Sequence, residues 1–220
     1  MRPLPKTVDR HQQRRQIGEA LLQLVAEHGL DEVSVRTVAA ATGRSPGAVQ
    51  KYFRTKDEML TFAAELAGER IERRMAEVDT ALPLRQALRD LILTTLPMDA
   101  ERRAEAAAQL AFAVHAAHHP RLAAIRQQVD QDIRQALTIW LESAGHATHA
   151  PAVADTVIAL SDGLALRMLY TPQPQEHLLT VLDHALDTLI RDYGGQTRSC
   201  NGGCRAGSGR WGDALRRSED

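Results

Sequence analysis

Residues 34–60 read SVRTVAAATGRSPGAVQKYFRTKDEML, and the reading of this stretch decides the fold. Ser34 is placed to cap a short helix whose apolar positions Val35, Val38 and Ala39 share one face. Gly43 supplies a residue that tolerates a left-handed turn just past that helix. Ser45 caps a second helix with Pro46 in its first turn, where a missing N–H does no harm. Thr55 and Glu58 form a T-x-x-E capping box that opens a third helix. Two helices joined by a tight glycine-containing turn predict a helix-turn-helix, whose second helix can enter the major groove of DNA.

The side chains agree with that expectation. In the second helix, SPGAVQKYF, Val49 and Phe53 stand at i and i+4 and can face a core, while Gly47, Ala48, Gln50, Lys51 and Tyr52 lie elsewhere around it. Small side chains at Gly47 and Ala48 let the backbone come close to a base edge or a phosphate. Gln50 has the amide that reads adenine in a bidentate way, and Ala48 the methyl that touches thymine. Lys51, Tyr52, Lys56, Arg36, Thr37 and Arg44 carry donors suited to phosphate oxygens. The alternative is a solvated helix pair in an ordinary helical protein, which leaves the agreement of caps, turn and donors without a cause.

The stretch from Gly29-Leu30 to Leu60 resembles the DNA-binding domain of the tetracycline-repressor (TetR) family of bacterial regulators. The resemblance rests on Gly29-Leu30, on A-x-x-x-G-x-S at Ala39, Gly43 and Ser45, and on Tyr52-Phe53 followed by Lys56. It implies that Tyr52 and Lys56 bind phosphate. It also implies that Arg44, Ser45, Gly47, Ala48, Gln50 and Lys51, with Arg36 and Thr37, form the surface that reads bases and backbone. Many members carry Tyr where this chain has Gln50 and Thr where it has Ala48, so its base preference is its own.

Composition and charge fit one DNA-binding module joined to a larger helical one. The 220 residues are rich in alanine and leucine and poor in aromatics, which predicts an all-α chain. Net charge is −1, yet residues 1–60 hold 10 Lys and Arg against 7 Asp and Glu, so the acidic surplus lies downstream. Such asymmetry is expected where one end touches DNA. No run approaches the roughly 20 apolar residues of a membrane span, and the N-terminus is polar and basic, so a cytoplasmic protein is expected.

Helical spacing and Pro/Gly stops predict nine helices: a three-helix head and a helical-bundle body, with the fourth helix between them. The expected organisation is a flexible basic arm at 1–8, a helix-turn-helix domain at 9–54, an effector-binding and dimerisation domain at 55–193, and a disordered Gly-rich tail at 194–220. The last two helices offer apolar stripes. Val157, Leu160, Leu164, Leu178, Leu182 and Leu189 are candidates for a homodimer interface, the alternative being burial in one subunit's own core. The Asp162–Arg167 run, DGLALR, is similar to segments in C-terminal helices of TetR relatives, the betaine-regulator-like (BetI-like) subgroup among them. That resemblance implies pairing of the last two helices with their copies, and a small-molecule effector between the fourth and eighth. Candidate pocket residues are Phe62, Leu66, Leu110, Phe112, His115, Trp140 and Met168, and the scarcity of aromatics argues against a cation–π cage.

Two clusters invite metal or redox chemistry. His115, His118 and His119 are spaced so that two can face one ion, but Glu101 and Glu105 are several turns away along the helix. They read as polar residues at a helix end. Cys200 and Cys204 alone make neither a complete zinc site nor a C-x-x-C pair. No metal and no cofactor are therefore expected. No di-iron Glu-x-x-His pair, nucleophile elbow or phosphate loop points to an enzyme. The expectation is a homodimeric regulator that binds a palindromic double-stranded DNA operator and answers to a small effector, with repression implied by the family. The alternatives are a metal- or redox-responsive regulator with the same head, and a helical protein-interaction module.

Overall fold

A computed structural model describes residues 6–171 and 175–194, and the side chains of residues 10–171 and 175–191. The described chain is all-α, with nine helices: α1 Lys6–His28, α2 Val35–Ala41, α3 Pro46–Gln50, α4 Lys56–Met75, α5 Leu84–Leu93, α6 Ala100–Ala116, α7 Pro120–Ser143, α8 Ala150–Tyr170 and α9 Glu176–Gly194. A single 3-10 turn at Ala147–His149 precedes α8. Helix α1 starts three residues before the expected Asp9, so the end of the expected arm is helical. Residues 1–5 and the expected tail beyond Gly194, with Cys200 and Cys204, lie outside the described residues.

The local signals act as expected, with two differences. Ser34 Oγ accepts from the Thr37 N–H at 3.1 Å and Thr37 Oγ1 accepts from the Ser34 N–H at 2.9 Å, closing a reciprocal cap on α2. Gly43, at φ +63°, turns the chain into α3, where Ser45 Oγ accepts from the Ala48 N–H at 3.2 Å. Helix α3 ends at Gln50, earlier than expected, and the chain continues in a turn whose Tyr52 and Phe53 N–H groups both bond Val49 O, at 2.9 and 3.0 Å. At α4, Thr55 Oγ1 takes the Glu58 N–H at 3.1 Å, but the Glu58 carboxylate reaches the Arg54 N–H at 2.7 Å.

The chain packs as two compact units. The first holds residues up to Arg70 together with Asp99–Ala123. It is larger than the 9–54 head because α6 packs on α1, and Gln109 of α6 donates to Ala64 O of α4 at 2.9 Å. Its core is built from Ile17, Leu21, Leu22 and Val25 of α1, Val38 and Ala39 of α2, Val49 and Phe53, and Met59, Ala63 and Leu66 of α4. A Cβ on Gly18 would come within 2.5 Å of the Phe62 ring, so glycine there sets how closely α1 approaches α4. Beneath this core, Arg70 is paired with Glu19, with Glu101 at 3.2 Å and with Glu105 at 3.5 Å.

The second unit holds Ile71–Met98 and the residues from Ala124 onward. Helix α5 packs on α9 and α8, with Leu88, Leu91, Leu137, Trp140, Val157, Leu164, Met168, Leu178, Leu182 and Leu189 in one core. Arg85 pairs with Asp187 at 2.5 Å and Arg89 with Asp183 at 2.9 Å, fixing the register of α5 against α9. No described helix is long and apolar enough to cross a membrane.

Candidate nucleic-acid interface and effector cavity

The helix-turn-helix surface follows from what α2 and α3 bury. Val38, Ala39, Val49 and Phe53 are at most 1% exposed, so the remaining faces point outward. Arg36, Ser45, Gly47, Gln50 and Lys51 are exposed, and Thr37, Arg44, Ala48, Tyr52 and Lys56 are partly so. A Cβ built on Gly47 meets nothing within 4 Å, which leaves the start of α3 open to a close approach.

Several of these groups already have partners. Arg44 donates to Gln16 Oε1 of α1 at 3.1 Å. Lys56 Nζ donates to Leu30 O at 2.8 Å, which ties the start of α4 to the Gly29-Leu30 turn. The Thr37 hydroxyl gives its proton to Glu32 O at 2.7 Å and accepts from the Ser34 N–H in the α2 cap. The Tyr52 ring packs on the core of the first unit. Sequence reasoning did not find the supporting cation Arg14, whose guanidinium lies over the rings of Phe53 and Phe62 at 5.1 and 4.5 Å. Its only signal was an arginine on the face of α1 that carries Ile17 and Leu21.

The seven expected pocket residues are divided between the two compact units. Phe62 and Leu66 pack in the first unit's core, Phe112 is buried in a smaller cluster with Leu60 and Ala116, and Leu110 is partly buried on α6. His115 is 2.9 Å from Asp57. Trp140 and Met168 belong to the second unit's core. That unit has a cavity of about 80 Å³ lined by none of the seven. Its apolar wall includes Met75, Leu91, Ile92, Ile133, Leu137, Val157 and Ile158, and its polar groups are Thr95, Arg126, Asp130, Ser161 and Asp162.

The polar side of the cavity is rich in acceptors. Thr95 gives its hydroxyl proton to Ile92 O at 2.7 Å, so Ser161 donates to Thr95 Oγ1 across 2.6 Å and keeps its own lone pairs for another donor. Arg126 is paired with Asp130 at 2.9 Å. Protein packed around the Asp162 carboxyl pushes it above the usual carboxylate range, with Arg126 pulling it down and Asp130 adding to the rise.

The expected dimer-interface positions lie mostly inside the second unit. Val157, Leu164, Leu178, Leu182 and Leu189 are between 0% and 7% exposed and pack in their own chain's core, with Leu160 partly buried against it. The exposed apolar face of α8 is instead Ala159, Gly163, Leu166 and Tyr170, at i, i+4, i+7 and i+11, with Val181 exposed on α9.

Comparison with known proteins agrees with this architecture over most of the chain. The family model described as bacterial regulatory proteins, tetR family, matches residues 17–61, and that described as BetI-type transcriptional repressor, C-terminal, matches residues 83–191. The HTH-type transcriptional regulator PksA of Bacillus subtilis (strain 168) is 30% identical over 174 residues, covering 77% of this chain and 84% of that one. The HTH-type transcriptional regulator BetI of Rhizobium meliloti (strain 1021) is 24% identical over 172 residues, 78% of this chain and 85% of that one. A solved transcriptional regulator from Rhodococcus sp. Rha1 is 36% identical with a TM-score of 0.75, over 81% of this chain and 96% of that one. A regulator from Saccharomonospora viridis solved with choline is 20% identical with a TM-score of 0.65, over 82% of this chain and 96% of that one.

Proposed function

Because the chain belongs to the TetR family of bacterial transcriptional regulators, DNA-binding proteins rather than enzymes, we propose that it is a homodimeric repressor released from a palindromic operator by a small organic effector. The observation that carries the reading is the outward face of α2 and α3. Arg36, Gln50 and Lys51 are exposed around an open Gly47, over Val38, Ala39, Val49 and Phe53 that are closed to solvent. Gln50 reads a base edge, and Arg36, Arg44, Lys51, Tyr52 and Lys56 hold the backbone. Two such heads bind half-sites about 34–36 Å apart when their copies are related by a two-fold axis. The BetI-type repressor match over residues 83–191 supports repression.

The second copy docks on the exposed α8 stripe of Ala159, Gly163, Leu166 and Tyr170, where small residues permit close helix approach. The effector occupies the cavity in the second unit. Its wall is mainly aliphatic and its uncommitted polar groups accept hydrogen bonds, so the effector is a small, largely apolar molecule bearing an N–H or O–H donor for Ser161 and Asp162. No aromatic side chain lines the cavity, so it lacks the cage that suits a quaternary ammonium such as the choline of the Saccharomonospora neighbour. An effector favouring the released state by about 1–3 kcal/mol lowers operator affinity about 5–150-fold.

A mobility-shift titration on DNA flanking its own gene, at two salt concentrations, tests the reading. The expected result is a saturable, salt-sensitive shift at nanomolar protein, reversed by a donor-bearing small molecule and not by choline. Association that ignores salt and retards no DNA fragment would support the protein-interaction alternative instead.

A further inference from the structure

A histidine pair near the end of α6 meets a carboxylate from the first turn of α4. His115 Nε2 lies 2.9 Å from Asp57 Oδ1, and the His115 and His119 rings stack with centroids 4.2 Å apart and planes inclined by 33°. One ligand atom from each of Asp57, His115 and His119 lies within 4.8 Å of the others. Both elements belong to the first compact unit. The backbone explains the pairing: the His119 N–H bonds to Ala116 O at 2.9 Å, continuing the helical path of α6 far enough to bring residue 119 back over residue 115. His118 is not part of this cluster.

We propose that Asp57, His115 and His119 form a binding site for a divalent transition-metal ion of the zinc class. An Asp–His ion pair requires one imidazole. A second imidazole brought to the same carboxylate is the arrangement a chelate requires. Two ring nitrogens and one carboxylate oxygen, with a fourth position left to water, match a zinc-type ligand set. Calcium and magnesium, which take six or more oxygens, find too few here. Bond lengths of about 2.0–2.1 Å in a tetrahedron put ligand atoms about 3.3 Å apart, so the cluster closes by about 1.5 Å at most. Rotation of the half-exposed Asp57 side chain supplies that movement. Binding displaces the proton shared between Nε2 and Oδ1 and pins the first turn of α4, next to Lys56, to the end of α6.

The test uses the full chain carrying Cys200→Ser and Cys204→Ser, so that tail thiolates cannot take up the ion. Zinc is titrated against a chromophoric chelator, and cobalt(II) is added separately to read the ligand field. One ion per chain is expected, with affinity at least about tenfold weaker in His119→Ala and in Asp57→Asn and unchanged in His118→Ala. Helical circular dichroism confirms that each variant folds, and the cobalt spectrum should change in His119→Ala alone of the two histidine variants. No ion retained at micromolar free zinc, or equal loss in His118→Ala and His119→Ala, overturns the assignment.

Discussion

Lys56 Nζ donates to the main-chain oxygen of Leu30, 2.8 Å away, joining the first residue of α4 to the turn that ends α1. An ammonium has three N–H groups, so this tether orients the side chain and leaves donors for a phosphate. Lys56→Ala should therefore weaken binding to every DNA sequence alike and reduce the slope of log affinity against log salt by about one. Fluorescence anisotropy on specific and nonspecific duplexes at several salt concentrations measures both. An unchanged slope would remove Lys56 from the phosphate contacts.

Gln50 is exposed on α3, one residue beyond the buried Val49. Gln50→Ala should relax discrimination at one base pair per half-site by about 1–3 kcal/mol while leaving nonspecific affinity in place. Affinities for a set of single-base operator variants test this. A uniform loss across the set would make Gln50 a backbone contact.

Glu105 is 1% exposed and faces the guanidinium of Arg70, itself 12% exposed. Arg70→Met takes the cation from a carboxylate held out of water and should destabilise the first unit by about 3–5 kcal/mol. Adding Glu105→Gln should recover much of that loss, because the buried carboxylate charge goes with it. Urea unfolding of both variants reads the effect, and a cost below about 1 kcal/mol for the single change would mean that the pair is solvated.

Leu166 is 42% exposed on α8 and shares a face with Gly163 and Tyr170. Leu166→Glu should convert the proposed dimer to a monomer with unchanged helix content, since the side chain is not among those buried in its own subunit's core. Light scattering coupled to gel filtration decides it. A variant that remains a dimer moves the interface elsewhere.

The Asp162 carboxyl is raised, chiefly because the protein around it penalises its charge. The folded chain therefore holds this proton more tightly than the unfolded chain, whose carboxyl titrates near 3.9. Its favourable contribution is present below that value and is lost as pH climbs through the folded one. Asp162→Asn should thus gain stability relative to the parent as pH rises from about 4 to 7. Melting curves across that range give the difference, which would be independent of pH if the group were unperturbed.

The reading head was legible in the sequence because its determinants lie within four residues of one another. Ser34 with Thr37, Gly43, Ser45 with Ala48 and Thr55 with Glu58 each satisfy orphan backbone groups next to them in the chain. Val49 and Phe53 needed only the i, i+4 rule to be assigned inward. Even here, the partner of Glu58 shifted by one residue to Arg54, because a flexible carboxylate chooses among neighbouring N–H groups.

What lay beyond local spacing was decided by packing. Helix α8 is apolar around much of its circumference, so periodicity could not separate Val157 and Leu164, enclosed by their own chain, from Leu166 and Tyr170, left outside. The acidic ligand missing beside His115 lies 58 positions earlier in the chain, at Asp57, and only the docking of α6 beside α4 supplies it. The same holds for the cavity, whose walls come from α4, α5, α7 and α8. The sequence by itself determined the helices, their caps and which face of α2 and α3 stays outside, because hydrogen bonds and helical pitch act over a few residues. Tertiary structure alone decided which apolar faces close on each other and which polar groups share a site, because those depend on how whole helices pack.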